Sequence, residues 1–307
     1  MSDSTKSYLD LIAQRAAEAE ARLITQENKS HLMPMRHPQP DFFIADLFDA
    51  ASFSIDQASM EYPLFALKPR DTKTRRFQHN DTTITVRATE LGIATIHDKD
   101  IWIYCVSKLM QALYEGQEIS QLIHFTIYDY LVTTNRHTSG SDYGRAKEAL
   151  DRLRSTTITV ESDNEKIREA KGFGLIDYWS IEEHEGRMIR VSVRLPDWLF
   201  HSIANKEVLK ISPDYFRIRK PIDRRVYELA RKHCGHQVEW KVSLQILHKK
   251  SGSTANISEF RRAIKSLASS DDLPDYKVAF DVKSDMLIFK NRDAKALIKH
   301  LTKKGSG

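Results

Sequence analysis

The chain is short of the residues that staple, anchor or power a protein. Cysteine occurs twice in 307 residues, at Cys105 and Cys234, too few for a disulfide framework and in keeping with a reducing compartment. No apolar run approaches the roughly 20 residues that a membrane span requires. The first ten residues, from Met1 to Asp10, lack the basic start and apolar centre of a secretory signal, so a cytoplasmic protein without a membrane partner is expected. No Gly-rich loop ending in Gly-Lys-Ser/Thr is present to cradle a nucleotide phosphate. His233-Cys234-Gly235-His236 hints at zinc, but a structural site needs about four ligands at suitable spacing and Cys105 is the one other thiol. A DNA-nicking enzyme would join a nucleophilic Tyr to a His-hydrophobic-His pair, which the sequence lacks. The expectation is therefore a protein that binds rather than catalyses, with no cofactor and no metal.

What is present is an ordinary globular composition, 41% hydrophobic and 29% charged, in a chain long enough for two domains. The net charge of +5 is unevenly placed. Between Lys210 and Ala268 stand 14 Lys/Arg and 5 Asp/Glu, a local +9, so the remainder carries 5 − 9 = −4. A basic segment on a slightly acidic chain suits a polyanion-binding module; unevenly charged solvated surface is the plainer alternative.

Residues 5–24 predict an amphipathic helix through Leu9, Ile12, Ala16, Ala19 and Leu23. Pro34, Pro38 and Pro40 then forbid its continuation, which makes 1–40 a helical arm and linker. Thr82–Val86 is strand-like. Ile101, Tyr104, Cys105, Leu109 and Leu113 form a helical stripe with Asp98 as a candidate cap. A short helix follows over Thr126–Thr133, and another over Asp142–Leu153 with Ala146, Ala149, Leu150 and Leu153 inside. Thr156–Val160 reads as extended, followed by a polar loop, the stretch Gly174–Trp179 and a strand at Met188–Val193. Three helices and a hairpin are the order of a winged helix.

The order returns downstream. Pro221 opens a helix carrying Ile222, Val226, Leu229, Ala230 and His233, closed by Gly235. Val242–Lys249 predicts a second helix, and a third starts near Asn256, which has Glu259 at capping-box spacing, and runs to about Ser269. Tyr276–Val282 and Met286–Phe289 alternate as a hairpin across Lys283-Ser284-Asp285. The expected fold is α+β: an N-terminal helical arm (1–40), a first winged-helix domain (41–205), a second (206–295) and a C-terminal tail (296–307).

The third helix of the second unit carries the sharpest functional signal. Ile257, Phe260, Ile264 and Leu267 share one face, while Ser258, Arg261, Arg262, Lys265 and Ser266 share the other. A helix fits the major groove, where Arg or Lys offers paired donors to guanine O6 and N7; an ordinary solvated face is the alternative. Arg217, Arg219, Lys220, Arg224 and Arg225 cluster where phosphates flanking a groove would lie. Lys249, Lys250 and Ser253 occupy the turn before the third helix, and Lys283, Lys277, Lys290 and Arg292 lie on or beside the wing. In the first unit Arg145, Lys147, Arg152 and Arg154 are mixed with Glu148 and Asp151, a face suited equally to DNA or to protein.

The stretches Ile222–Gly235, Leu247–Ser253, Glu259–Ile264 and Arg145–Leu153 resemble the replication initiator A family of proteobacterial plasmids, and the resemblance spans about Asp41–Arg292. It implies tandem winged helices that bind direct repeats, called iterons, at a plasmid origin in the bacterial cytoplasm. It also implies that the second unit does most base reading while the first serves dimerisation and backbone contacts. Monomers of such initiators remodel the origin and bring in the host replicative helicase and host initiator; homodimers repress their own gene. A winged-helix transcriptional repressor without an initiator role remains the alternative reading.

Overall fold

The computed structural model describes residues 32–37, 40–45, 63–79, 82–164, 167–235 and 237–292. The amphipathic stretch 5–24 and the tail 296–307 lie outside the described residues. Through the first half run β1 (Phe42–Ala45), β2 (Arg75–His79), β3 (Thr82–Arg87), α1 (Lys99–Tyr114), β4 (Leu122–Phe125), α2 (Ile127–Thr133), α3 (Gly140–Ser155), β5 (Thr157–Asn164), β6 (Ile167–Gly174), β7 (Tyr178–His184), β8 (Arg187–Arg194) and α4 (Asp197–Ala204). Next come β9 (Val208–Ile211) and a 3-10 turn at Pro213–Arg217, then α5 (Pro221–His233), β10 (Glu239–Ser243), α6 (Leu244–Ser251), α7 (Ile257–Ser270), β11 (Tyr276–Asp281) and β12 (Met286–Asn291).

One topology occurs twice. In α1-β4-α2-α3-β7-β8 the strands form an antiparallel sheet of order β4-β8-β7. In α5-β10-α6-α7-β11-β12 the order is β10-β12-β11. In both, the last strand lies between the strand after the first helix and the first strand of the wing. The fold is α+β with two tandem winged helices. Between the third helix and the wing, the first unit inserts the β5–β6 hairpin, which joins a sheet of order β2-β3-β5-β6. Its register opposes Ile84 to Val160 and Val86 to Ile158, all four buried, because alternate residues of a strand face one side.

The local signals placed the core helices of both units and the second wing, but named no element at β1, β2, β4, α4 or β9. α2 is capped by Thr126, whose hydroxyl accepts from the Asp129 N–H, and the buried face of α3 is Ala146, Ala149, Leu150 and Leu153. Asp98 stands at the N-cap of α1, but its side chain makes no cap bond; it accepts from the Thr95 N–H and from Arg152. The expected polar loop after Val160 is instead the rest of the β5–β6 hairpin. Val242 belongs to a strand: β10 pairs along β12, and the following helix starts only after Ser243, whose hydroxyl caps it. Gly235 follows α5 with φ +51°, the left-handed conformation that glycine adopts beyond a helix end.

Two buried clusters meet along β1, which pairs antiparallel with β9. Adjacent strand residues point to opposite sides, and Phe42 and Phe43 divide accordingly. Phe42 packs edge-on against Phe216 in the cluster around α5 and α7, whereas Phe43 packs with Tyr114 in the cluster around α1 and α3. The segment before β1 crosses the same seam. Met33 exchanges backbone and side-chain bonds with Arg217, while Pro34 and Arg36 bond to Asn135.

Candidate nucleic-acid interface

α7 begins at Asn256, whose side chain accepts from the Glu259 N–H at 2.9 Å, satisfying one of the orphan donors of a helix start. Phe260, Ile264 and Leu267 are buried at steps of four and three. Ser258, Arg262, Lys265 and Ser269 are exposed, and steps of four, three and four put them on one outward stripe. Arg262 holds no ion pair among the described residues. The Lys265 ammonium nitrogen lies 5.7 Å from the centre of the Phe280 ring on β11, so its charge sits over the wing while the residue stays exposed. Lys220, exposed before α5, comes within 3.4 Å of Ser266 Oγ and extends this basic surface.

Arg261 differs from its neighbour. It binds Asp285 through two nitrogens, at 3.1 and 2.8 Å, and thereby ties α7 to the turn of the β11–β12 wing. That bond holds the guanidinium more firmly charged, raising its pKa. At the tip of the wing Lys283 is exposed, and so is Val282. Lys277 and Lys290 are exposed across from each other on the hairpin. Arg292, exposed beyond it, pairs with Asp271 at 2.7 Å.

The turn between α6 and α7 is shaped by Gly252 at φ +69°. A Cβ there would overlap the Pro63 ring, so this turn lies directly against the first unit. Lys249 is exposed, whereas Lys250 and Ser253 are half-buried. Lys250 gives its carbonyl to Arg225, and Ser253 bonds within the turn to Ser251 and Ala255.

Several expected contact residues face inward. Arg224 is 2% exposed and paired with Asp100 at 2.6 Å, so it cannot reach a phosphate, and the expectation is corrected. Arg225 is committed to Glu228 at 3.3 Å and to the Lys250 carbonyl at 3.0 Å. Arg217 is held by Met33 and Asp214, while Arg219 and Lys220 remain exposed. In the first unit Arg152 makes a two-pronged pair with Asp98 and also neighbours Glu148; it too serves the fold. Arg145 pairs with Asp142 at 2.9 Å. Lys147 and Arg154 are exposed.

The third helices can be aligned by their cores, since Ala146, Leu150 and Leu153 repeat the spacing of Phe260, Ile264 and Leu267. Two and five residues beyond the first core position, α7 presents Arg262 and Lys265 where α3 presents Glu148 and Asp151. The same scaffold therefore offers cations at these two positions in one unit and carboxylates in the other. Carboxylates facing a phosphate-lined groove are repelled. Of the two third helices, α7 is the one that presents cations at both of these positions. The sequence contained this inversion but not the pairings that occupy Arg224, Arg152 and Arg261, whose partners stand 124, 54 and 24 residues away.

Comparison with known proteins agrees with the architecture. The sequence profile described as Replication initiator protein A matches residues 55–278. A protein of Wigglesworthia glossinidia brevipalpis, provisionally named for replication, is 41% identical over 273 residues, covering 87% of this chain and 98% of that one. Among solved structures, a crystal structure of domains 2 and 3 of RctB superposes with TM-score 0.58 at 13% identity, over 77% of this chain and 97% of that one. A second, of RctB residues 155–483, gives 0.53 at 12% identity over 75% and 95%. At such low identity the RctB likeness is one of fold.

Proposed function

The chain belongs to the replication initiator protein A family, and on that premise we propose that it starts replication of a bacterial plasmid by gripping iterons, repeated double-stranded sites at the origin. α7 enters the major groove. Arg262 and Lys265 meet base edges, with Ser258 beside them, because paired or clustered donors match guanine O6 and N7. Lys249, Arg219, Lys220 and Lys283 neutralise phosphates around that groove and hold the register. The first unit contributes backbone contacts through Lys147 and a surface for a second copy. Bound in the cytoplasm, the protein opens the origin, brings in the host initiator and replicative helicase, and as a dimer represses its own gene. It acts by binding and not by catalysis.

The observation that carries this reading is the exposed Ser258–Arg262–Lys265–Ser269 stripe on the third helix of a helix-turn-helix, flanked by a wing. A plasmid bearing only this gene and its adjacent repeats tests it in a permissive host. Autonomous replication is expected, with loss when Arg262→Ala and Lys265→Ala are combined. If the unaltered gene and repeats do not replicate, the initiator reading fails.

A further inference from the structure

The seam between the winged helices buries charge where apolar contacts would have sufficed. In the first turn of α1, Asp100 accepts from Arg224 Nη1 of α5 at 2.6 Å and from Arg136 Nη2 at 2.7 Å, and the Asp100–Arg224 pair is almost wholly buried. Arg224 also donates to the carbonyls of Ile218 and Phe216 and lies over the Tyr215 ring. Next to Asp100, Lys99 reaches Glu228 at 3.0 Å, one turn along α5 from Arg224. Glu228 further accepts from the Tyr215 hydroxyl at 2.7 Å. Burial opposes its charge, but Lys99, then Arg225 and the Tyr215 hydroxyl, outweigh it and hold the carboxyl below the usual range.

The order of signs matters. Along α1 the sequence is plus then minus, at Lys99 and Asp100; along α5 it is plus then minus, at Arg224 and Glu228, and the pairs cross. Slipping one helix by a turn would set Asp100 against Glu228 or Lys99 against Arg224, like against like in a poorly solvated site. Like-charge contacts penalise the alternative placements of a buried ionic pattern, a penalty that an apolar seam of equal size lacks. The same cluster extends to both helix-turn-helix motifs. Arg136 stands in the turn between α2 and α3, and Arg225, which also pairs with Glu228, donates to the Lys250 carbonyl at the end of α6.

We propose that the crossed pairs Asp100–Arg224 and Lys99–Glu228 are a register lock that fixes the first unit against α7, and hence how far along the duplex the first unit's backbone contacts fall from the bases that α7 reads. Asp100 and Arg224 are thereby positioning residues that determine specificity without touching DNA. The spacing claim rests on the DNA-binding reading above; the rigidity claim does not.

Spin labels on cysteines introduced at the exposed positions Lys147 and Lys277 give the distance between units in the full chain without DNA. The native Cys105 and Cys234 are buried and leave labelling selective. Two variants are compared with the parent: Asp100→Asn, which keeps the shape but drops the charge and turns one of the two acceptor oxygens into a donor, and the double variant Asp100→Leu with Arg224→Met, which keeps a packed seam without polarity. The parent gives one narrow distance, and both variants give a broadened or second one while circular dichroism shows them folded. On duplexes carrying the repeat found beside the gene, inserting one base pair between the stretches that the two units cover weakens the parent about tenfold or more, and the double variant distinctly less. A folded double variant with the parental distance overturns the lock. Parental failure to bind the repeat, with the distances changed as expected, sinks the DNA reading and leaves the lock standing.

Discussion

Arg261 and Arg262 are adjacent on α7, yet their guanidinium groups have different neighbours. Arg262 faces solvent, while Arg261 spends two nitrogens on Asp285. Arg262→Ala should therefore cost about 1–3 kcal/mol on the cognate repeat and far less on random duplex. Arg261→Ala should weaken both duplexes alike by displacing the wing, and Asp285→Ala should reproduce that loss of wing placement while removing a negative charge from the surface. Competition titrations on the two duplexes check this; an Arg261→Ala effect confined to the cognate repeat would make Arg261 a base reader. His97 carries a different prediction. Burial, and then Arg224, push its pKa from near 6.5 down to about 4, so the folded protein keeps it neutral where the unfolded chain would protonate it. Its contribution is fully present above pH 6.5 and is lost as the pH falls towards 4, to a limit of about 3 kcal/mol. Urea midpoints measured from pH 7 to pH 4 should fall less steeply for His97→Gln; an unchanged slope would show that other groups drive the loss.

At the scale of elements, what could be read from the sequence was whatever local physics decides. α7 was legible because Asn256 and Glu259 mark its start and Phe260, Ile264 and Leu267 recur with helical spacing. The β11–β12 wing was legible from alternation. β10 was not, because Glu239–Ser243 is a short edge strand whose pairing with β12 closes across more than forty residues, and nothing in its own composition separates it from the start of α6. The β5–β6 hairpin was half legible: Thr157–Val160 alternates, but Ala170–Gly172 has little that marks a strand except its partner. The same division holds for the candidate site. The exposed stripe followed from periodicity, whereas the inward commitments of Arg224 and Arg152 depend on carboxylates of a distant helix start. Asn256→Ala should cost about 1 kcal/mol of stability by freeing the Glu259 N–H. Gly252→Ala should cost more, because it combines a positive φ with an overlap on the rigid Pro63 ring. Thermal melts of both variants test that order, and a Gly252→Ala protein as stable as the parent would contradict the close packing of that turn.

At the scale of the molecule, the protein is a duplicated winged helix in which the copies have diverged in charge and are held together by β1, by the Met33–Arg36 segment and by a buried ionic seam. The second unit concentrates cations on α7, and the first places Glu148 and Asp151 at the equivalent positions. Salt should therefore act chiefly through the second unit: Lys249→Ala should weaken binding to all sequences and lower the salt slope by about one. The most direct measurement replaces each guanine of the repeat in turn with 7-deazaguanine, which removes the N7 acceptor, and titrates the parent and Arg262→Ala on every duplex. The account predicts that the parent loses affinity sharply at one or two guanines and that Arg262→Ala binds those substituted duplexes no worse than the unsubstituted repeat. If Arg262→Ala retains the parent's full sensitivity at every guanine, α7 does not read the groove through that residue and the central claim is contradicted.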